Sequence, residues 1–169
     1  MRKIIVLVSI FLWSLLAISQ QQPSSWKEYA FMDDGFAITL PYAPAPHQDA
    51  GLPEMTVYTV SLPSEANLSL RVSHQKRDCA TTLEQLKNGG LEGKSGIDAS
   101  SVKDVSVNGH PGVEYQYKLG PDRVSSDRFY CVNGRFYAFS ISWPSNKSRP
   151  AAVTRIVNSF RLLNADLRR

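Results

Sequence analysis

The sequence predicts an α+β domain in which a central antiparallel sheet is flanked by helices. Two series of short strands with alternating apolar and polar residues are each followed by one helical segment. Within a series the strands are joined by links of hairpin length, and the helices supply the long connections. Consecutive strands are therefore expected to pair antiparallel.

Length and composition are those of one folded domain. The 169 residues are 43% hydrophobic and 20% charged, which excludes a disordered chain, and two cysteines exclude a multi-bridge scaffold. The formal net charge of +4 falls to +2 without Arg2 and Lys3, so a generally basic protein is excluded. Basic residues concentrate at the C-terminal end, which predicts a solvated helix face with a charged tail or an anion-binding site. They are Lys147, Arg149, Arg155, Arg161, Arg168 and Arg169.

The first residues have the pattern of a signal peptide. Two basic residues precede the apolar run 4–16, and Ala17 and Ser19 are small residues at the positions that a signal peptidase reads. The run is shorter than the roughly 20 residues that span a bilayer, so cleavage before Gln20 is favoured over an uncleaved anchor. We expect export to the periplasm or the extracellular medium, with no stable membrane span after cleavage.

This interpretation divides the chain into four parts. Residues 1–19 form the signal peptide, residues 20–25 a short polar leader, residues 26–163 a single α+β domain, and residues 164–169 a basic tail.

The first strand series begins near Trp26. A turn at Asp33-Asp34-Gly35 joins two short strands, and residues 41–53, with four prolines and a glycine, are predicted to form a surface loop. Strict alternation then predicts half-buried strands over residues 56–62 and 66–74. A helix is expected to begin near Thr81, where the spacing to Glu84 is that of a capping box.

The second series begins near Ser101 and contains tight turns at Asn108-Gly109 and at residues 120–122. Residues 129–139 predict a hairpin around Asn133-Gly134. A type I′ turn there would place Val132 opposite Arg135 and Tyr130 opposite Tyr137. Because large apolar side chains occupy both faces of this hairpin, a central position in the sheet is expected.

A closing helix is predicted from a cap at Ser148 through Phe160. Its apolar positions Val153, Ile156 and Val157 share one face, which should dock on the sheet. The helix is expected to end near Arg161, because Leu162 would otherwise fall on the polar face. The predicted order is therefore four strands, a helix, four strands and a helix.

Four segments carry a resemblance to a known family. They are residues 35–41 (GFAITLP), residues 108–114 (NGHPGVE), the Asn133-Gly134 hairpin, and residues 158–162 (NSFRL). Together they resemble the PsbP/Mog1/DcrB-like superfamily, especially its secreted bacterial members of unknown function. The resemblance covers residues 26–163 and implies a central antiparallel sheet flanked by helices. It also implies a role in binding proteins or assisting assemblies, with no catalytic constellation. The chain lacks the acylated cysteine of lipoprotein members.

Cys79 and Cys131 are the only cysteines of the chain. Both follow the predicted export signal, and an oxidising compartment favours a disulfide between them over two free thiols. A bridge closing a loop of about 50 residues would contribute on the order of 4 kcal/mol by the chain-entropy argument. A catalytic thiol is the alternative, but no nearby residue identifies the base that it would need.

Motifs for catalysis or cofactor binding are missing from the sequence. His47, His74 and His110 do not have the spacing of metal ligands, and there is neither a nucleophile elbow nor a phosphate-binding glycine loop. We assign no catalytic residue, metal or cofactor. The aromatic residues alternate with the pleat of the predicted strands, which favours core packing over stacking on nucleic acid.

The leading hypothesis is an exported, non-catalytic binding or assembly-assisting module, whose partner is another envelope or extracellular protein. The candidate binding residues are Tyr42 and His47 in the predicted loop and Arg155 and Arg161 on the outward side of the last helix. One alternative is a secreted hydrolase or metal-dependent enzyme that uses His74 or His110. It requires one of these rings within about 3 Å of a Ser, Asp, Glu or Cys in a cleft. Another alternative is weak binding to an anionic envelope surface through the basic C-terminal helix.

Overall fold

The computed structural model describes residues 26–49, 51–62, 65–88 and 99–163. Within these ranges the chain forms ten strands, two α-helices and a 3-10 turn at Ala99–Ser101. The strands are β1 (Lys27–Phe31), β2 (Phe36–Leu40), β3 (Ala45–Asp49), β4 (Leu52–Ser61), β5 (Asn67–Ser73), β6 (Lys103–Val107), β7 (His110–Lys118), β8 (Arg123–Val132), β9 (Arg135–Pro144) and β10 (Arg161–Leu162). The helices are α1 (Cys79–Asn88) and α2 (Ala151–Ser159). The predicted signal peptide, leader and basic tail lie outside the described residues.

Two antiparallel sheets make up the fold. The large sheet has the order β3-β4-β5-β9-β8-β7-β6, and the small sheet has the order β1-β2-β10. The predicted antiparallel α+β class is confirmed, although the domain is mostly sheet. The first two strands were predicted to belong to one sheet with the others. Instead β1 pairs with β2 and β2 pairs with β10, which forms a separate sheet. That pairing needs the C-terminal segment, which is distant in sequence.

The main core lies between one face of the large sheet and a layer made by the small sheet and α2. Strand β2 contributes Phe36 and Ile38, and α2 contributes Val153 and Ile156, all fully buried. They pack on the apolar residues of β4, β5, β8 and β9. A second cluster lies on the opposite face, where Leu83 of α1 packs over β7, β8 and β9. Only part of that face is covered by α1.

The aromatic hairpin is confirmed as the centre of the sheet. Val132 lies opposite Arg135 and Tyr130 opposite Tyr137. Asn133 and Gly134 have φ angles of 53° and 81°, as a type I′ turn requires. Strand β8 pairs with β7 on its other side, and β9 pairs with β5, so both strands of the hairpin are internal.

The predicted surface loop at residues 41–53 is wrong, because this segment contains β3 and the start of β4. The prolines suggested a loop because proline cannot donate to a strand ladder. Strand β3 lies at the edge of the large sheet and has a partner only on its β4 side, and an edge position tolerates Pro46. The first strand series therefore has five strands rather than four.

Both helix starts differ from the prediction. Asp78 accepts hydrogen bonds from the backbone N–H of Ala80 and from the Thr81 hydroxyl, at 3.0 and 2.9 Å, so α1 begins at Cys79 rather than at Thr81. Helix α2 begins after Pro150, and Ser148 does not cap it. Aspartate is as good an N-cap as threonine, and the capping-box spacing alone does not decide between them.

Helix α2 ends at Ser159, one residue before the predicted last residue, Phe160. Phe160 has extended dihedral angles, φ −65° and ψ 128°, and Leu162 continues into β10, where it lies opposite Phe36. The prediction that Leu162 leaves the helix is confirmed. Arg161, predicted on the outward side of the helix, lies instead on β10 opposite Ala37.

Candidate functional site

The disulfide predicted from the sequence is present. The sulfur atoms of Cys79 and Cys131 are 2.04 Å apart, and their Cα atoms are 5.1 Å apart. The bridge joins the first residue of α1 to β8, so it holds the helix against β7 and β8. A structural disulfide of this kind fits an oxidising compartment.

The candidate residues Tyr42 and His47 are both exposed, but they belong to different environments. Tyr42 follows β2 and is 42% exposed. His47 lies on β3, opposite Val57. Since Val57 lies opposite Arg71 in turn, the register places His47 on the same face of the large sheet as Arg71.

The two candidate arginines have partners within the domain. Arg161 forms two hydrogen bonds with Glu28 of β1, at 3.1 and 2.8 Å. This contact lowers the pKa of Glu28 and raises the pKa of Arg161. The guanidinium of Arg155 stacks over the ring of Trp26 at 4.3 Å from its centroid. Arg161 therefore links β10 to β1, and Arg155 links α2 to Trp26, the residue just before β1.

One of the histidines lies near a buried carboxylate. His74 Nε2 is 3.3 Å from Asp34 Oδ1 and 3.0 Å from Thr56 Oγ1. A catalytic triad uses one ring nitrogen for the carboxylate and the other for the hydroxyl. Here the same nitrogen faces both groups, so the contacts orient the ring without linking a carboxylate through it to a nucleophile.

Asp34 is itself tied to the large sheet. Tyr58 donates its hydroxyl to the Asp34 carboxylate, and Tyr137 donates to the Asp34 carbonyl oxygen at 2.9 Å. Burial, together with the hydrogen bond to Asp34, raises the pKa of Tyr58. The predicted turn at Asp33-Asp34-Gly35 therefore also connects the small sheet to the large sheet through hydrogen bonds to Asp34.

His110, the other histidine of the enzyme hypothesis, is the first residue of β7 and lies opposite Val107. Among the described residues, no carboxylate, serine or cysteine forms a hydrogen bond or an ion pair with its ring. No group of three or more His, Cys, Asp or Glu side chains that could hold a metal occurs in the described part of the chain. Within the same part, no helix is long and apolar enough to span a membrane.

The strand register assembles a polar surface that the sequence analysis did not identify. On the α1 side of the large sheet, opposed residues of β4, β5, β9, β8 and β7 form two rows. One row is Ser61, Asn67, Ser142, Ser125 and Tyr117. The other row is Thr59, Ser69, Ser140, Asp127 and Tyr115. Small hydroxyl and amide groups therefore lie side by side where the cover of α1 ends.

Eight of these ten residues line an open groove with a volume of about 420 Å³, and the other two, Tyr115 and Asp127, are buried. Arg71 lies at one end, and Tyr117 and the 46% exposed Leu119 lie at the other. We call this surface the serine groove. Its hydroxyl, amide and guanidinium groups suit a polar ligand, because each offers hydrogen bonds that are not used in the sheet ladder.

A buried carboxylate forms part of the same face. Asp127 is 2% exposed and accepts hydrogen bonds from Ser125 Oγ at 2.9 Å and from the Tyr117 hydroxyl at 3.3 Å. Ser125 and Tyr117 are thereby held in fixed orientations in the serine groove. The polar alternation in β5 and β9 was visible in the sequence, but strand order and register were needed to bring the serines together.

The fold is that of the PsbP-like proteins, as the sequence resemblance implied. The chain is similar to the solution structure of cyanobacterial PsbP (CyanoP) from Synechocystis sp. PCC 6803, with a TM-score of 0.57 and 14% identity. This similarity covers 82% of the present chain and 92% of CyanoP.

A crystal structure from Bacteroides thetaiotaomicron VPI-5482 is also similar, with a TM-score of 0.50 and 10% identity. It matches 81% of the present chain, which spans about half (48%) of the Bacteroides chain. No protein-family profile and no curated protein sequence matches. At identities of 14% and 10%, these similarities show the fold of the chain and not its function.

Proposed function

We propose that this protein is an exported, non-catalytic module that binds another envelope or extracellular protein through the serine groove. The observation that carries the proposal is the groove itself, which is open, has a volume of about 420 Å³ and is lined by several hydroxyl groups, an amide and a guanidinium. Exposed hydrogen-bonding groups on a rigid sheet cost little conformational entropy when a partner binds, since the backbone is already fixed.

The lining of the groove favours an extended segment with polar side chains. Thr59, Ser61 and Asn67 are exposed at the β4–β5 side, and Arg71 supplies a positive charge. Tyr117 and Leu119 offer apolar contact at the opposite end. A polar partner segment with an acidic residue near Arg71 matches this distribution.

Export is part of the proposal. The basic and apolar pattern of residues 1–19 supports it, and the Cys79–Cys131 disulfide is typical of proteins outside the reducing cytosol. Intact-mass measurement of the protein from its producing cells should give a chain that begins at or close to Gln20. A cytoplasmic product that retains Met1 would contradict this part of the proposal.

The binding experiment uses chemical cross-linking of the mature protein in an extract of the envelope and medium of the producing cells, followed by mass spectrometry. Ser69→Arg places a long side chain in the middle of the groove. Ser106→Arg is the matched control, because it makes the same change at an exposed position on β6, outside the groove. We expect one protein to be captured by the wild type and by Ser106→Arg but not by Ser69→Arg.

Thermal unfolding checks that both variants fold. Equal capture by Ser69→Arg and the wild type would place the binding surface elsewhere. The double change Tyr42→Ala and His47→Ala tests the β3 edge and the segment between β2 and β3 in the same experiment. A multiple-turnover activity abolished by His74→Ala or His110→Ala would support the alternative of a secreted enzyme.

A further inference from the structure

A cluster of charged residues lies on the face of the large sheet opposite the serine groove. Its centre is Glu114 of β7, which is fully buried. Arg128 of β8 forms a close hydrogen-bonded ion pair with the Glu114 carboxylate, and Ser126 donates to it at 3.1 Å. Lys103 Nζ and Arg149 Nη1 each lie 3.5 Å from Glu114 Oε1. Three cations therefore surround a single carboxylate.

The carboxylate stays ionised despite its burial. Burial by itself raises the pKa of Glu114, but the guanidinium of Arg128 and the charges of Lys103 and Arg149 outweigh it and hold the pKa below its ordinary value. The cluster of Lys103, Glu114, Arg128 and Arg149 therefore carries two positive charges in excess at neutral pH.

The neighbouring polar groups do not cancel this excess. Asp104, the residue next to Lys103, forms an ion pair with Lys87 of α1, on the other side of the sheet. Burial raises the pKa of Tyr130, which keeps its hydroxyl neutral beside Arg128. Excess positive charge in a partly buried setting attracts anions more strongly than the same charge in open solvent.

Arg149 has a further unused donor. Its Nε is buried and, among the described residues, has no hydrogen-bond partner. A buried guanidinium N–H without an acceptor is costly, so a bound acceptor would lower the free energy of this arrangement. Arg149 also directly precedes Pro150 and α2, whose N-terminus has no side-chain cap. The first N–H groups of the helix add positive potential on this side.

The cations are accessible. The side chains of Lys103, Arg128 and Arg149 are 56%, 20% and 26% exposed, whereas Glu114 is covered by them. We propose that Lys103, Arg128 and Arg149 form a binding site for a phosphate group, either as inorganic phosphate or as the phosphomonoester headgroup of a lipid. A phosphate carries about −1.5 to −2 charge near pH 7 and matches the excess of two, whereas one carboxylate does not. Its several oxygens can accept from both guanidinium groups at once.

Isothermal titration of the folded protein with inorganic phosphate tests the site, with acetate at the same ionic strength as the comparison anion. We expect saturable phosphate binding with a Kd below about 1 mM and weaker acetate binding. Arg149→Gln should weaken phosphate binding by about tenfold or more. Arg161→Gln is the matched control, since it removes the same charge at a pair outside the cluster, and should leave the Kd unchanged.

Lys103→Gln provides a second variant at the most exposed cation of the cluster, where loss of folding is least expected. It should weaken phosphate binding in the same direction, and thermal unfolding confirms that each variant is folded. No saturable phosphate binding, or the same Kd in both cluster variants as in the wild type, would overturn the proposal.

Sedimentation with lipid vesicles separates the two sources of phosphate. Vesicles containing phosphatidic acid present a phosphomonoester, and vesicles containing phosphatidylglycerol present an anionic diester. Binding to the first that is lost in Arg149→Gln assigns the lipid headgroup. Phosphate binding by titration without vesicle binding assigns the free ion. Equal binding of wild type and Arg149→Gln to both kinds of vesicle would show general anionic adsorption and contradict the site for a lipid headgroup.

Discussion

Tyr58 of β4 donates a buried hydrogen bond to the carboxylate of Asp34 in the β1–β2 turn, and this contact joins the two sheets of the domain. Asp34 is 4% exposed and Tyr58 is 7% exposed. Arg135 strengthens the same junction by donating to the carbonyl oxygen of Asp33 at 3.0 Å. A turn that reads as a simple surface feature in the sequence is therefore a main attachment of the small sheet.

Removing the Tyr58 hydroxyl should destabilise this junction. Tyr58→Phe leaves the buried Asp34 carboxylate without its close donor, and the loss of such a partner costs about 1 to 3 kcal/mol. Thermal and urea unfolding measure the change. Tyr42→Phe is the matched control, because the Tyr42 ring is 42% exposed, and it should change the unfolding free energy by less than about 0.5 kcal/mol. Equal effects of the two changes would contradict the role of the Tyr58–Asp34 hydrogen bond.

Because of Glu114, the free energy of unfolding of the domain should depend on pH in the acid range. Its pKa is lower in the folded state than its ordinary value of 4.5, so its contribution is fully present above that value and is lost as the pH falls through the folded-state pKa. Wild-type unfolding free energy should decrease below about pH 4.5 more steeply than that of Glu114→Gln. At pH 7 the variant should be less stable by about 3 kcal/mol, since three cations lose their carboxylate.

Glu84→Gln on the exposed face of α1 is the matched control for this pH series. Its unfolding free energy should follow the wild-type curve. Parallel wild-type and Glu114→Gln curves over the acid range would mean that Glu114 does not contribute to the pH dependence.

The Cys79–Cys131 disulfide closes a loop with a sequence separation of 52 residues. Replacement of both cysteines by alanine should lower the unfolding free energy by about 4 kcal/mol, because the unfolded chain regains the entropy of the open loop. Reduced wild-type protein should show a similar loss. A double variant as stable as the oxidised wild type would show that the packing of α1 on β7 and β8 needs no covalent link.

Gly112 should not tolerate a larger side chain. A Cβ at this position would lie 2.5 Å from the carbonyl oxygen of Phe129 and 2.5 Å from the Tyr130 ring. Gly112→Ala should therefore destabilise the domain by about 1 to 3 kcal/mol or more, because β7 and β8 must separate or the ring must move. Thermal unfolding measures the change. An unchanged melting temperature would show that the strands adjust without cost.

Several features of the fold depend on short-range patterns and were predictable. The Asn133-Gly134 turn, the alternation in β5 and the apolar face of α2 each arise from a few neighbouring residues. The pairing of Cys79 with Cys131 followed from their being the only two cysteines behind an export-like segment.

Other features required the assembled sheet. Strand β3 was not predicted, because its proline argues against a strand except at the edge of a sheet, and the sequence alone does not show which strand lies at an edge. Ser69 and Ser140 lie 71 positions apart, and only the register of β5 on β9 makes them neighbours in the serine groove. The cluster at Glu114 likewise joins β6, β7, β8 and the segment before α2. Local propensity and hydrophobic period act over a few residues and determine the elements. The neighbours of a side chain across strands are decided by long-range pairing, which depends on how the whole core is buried.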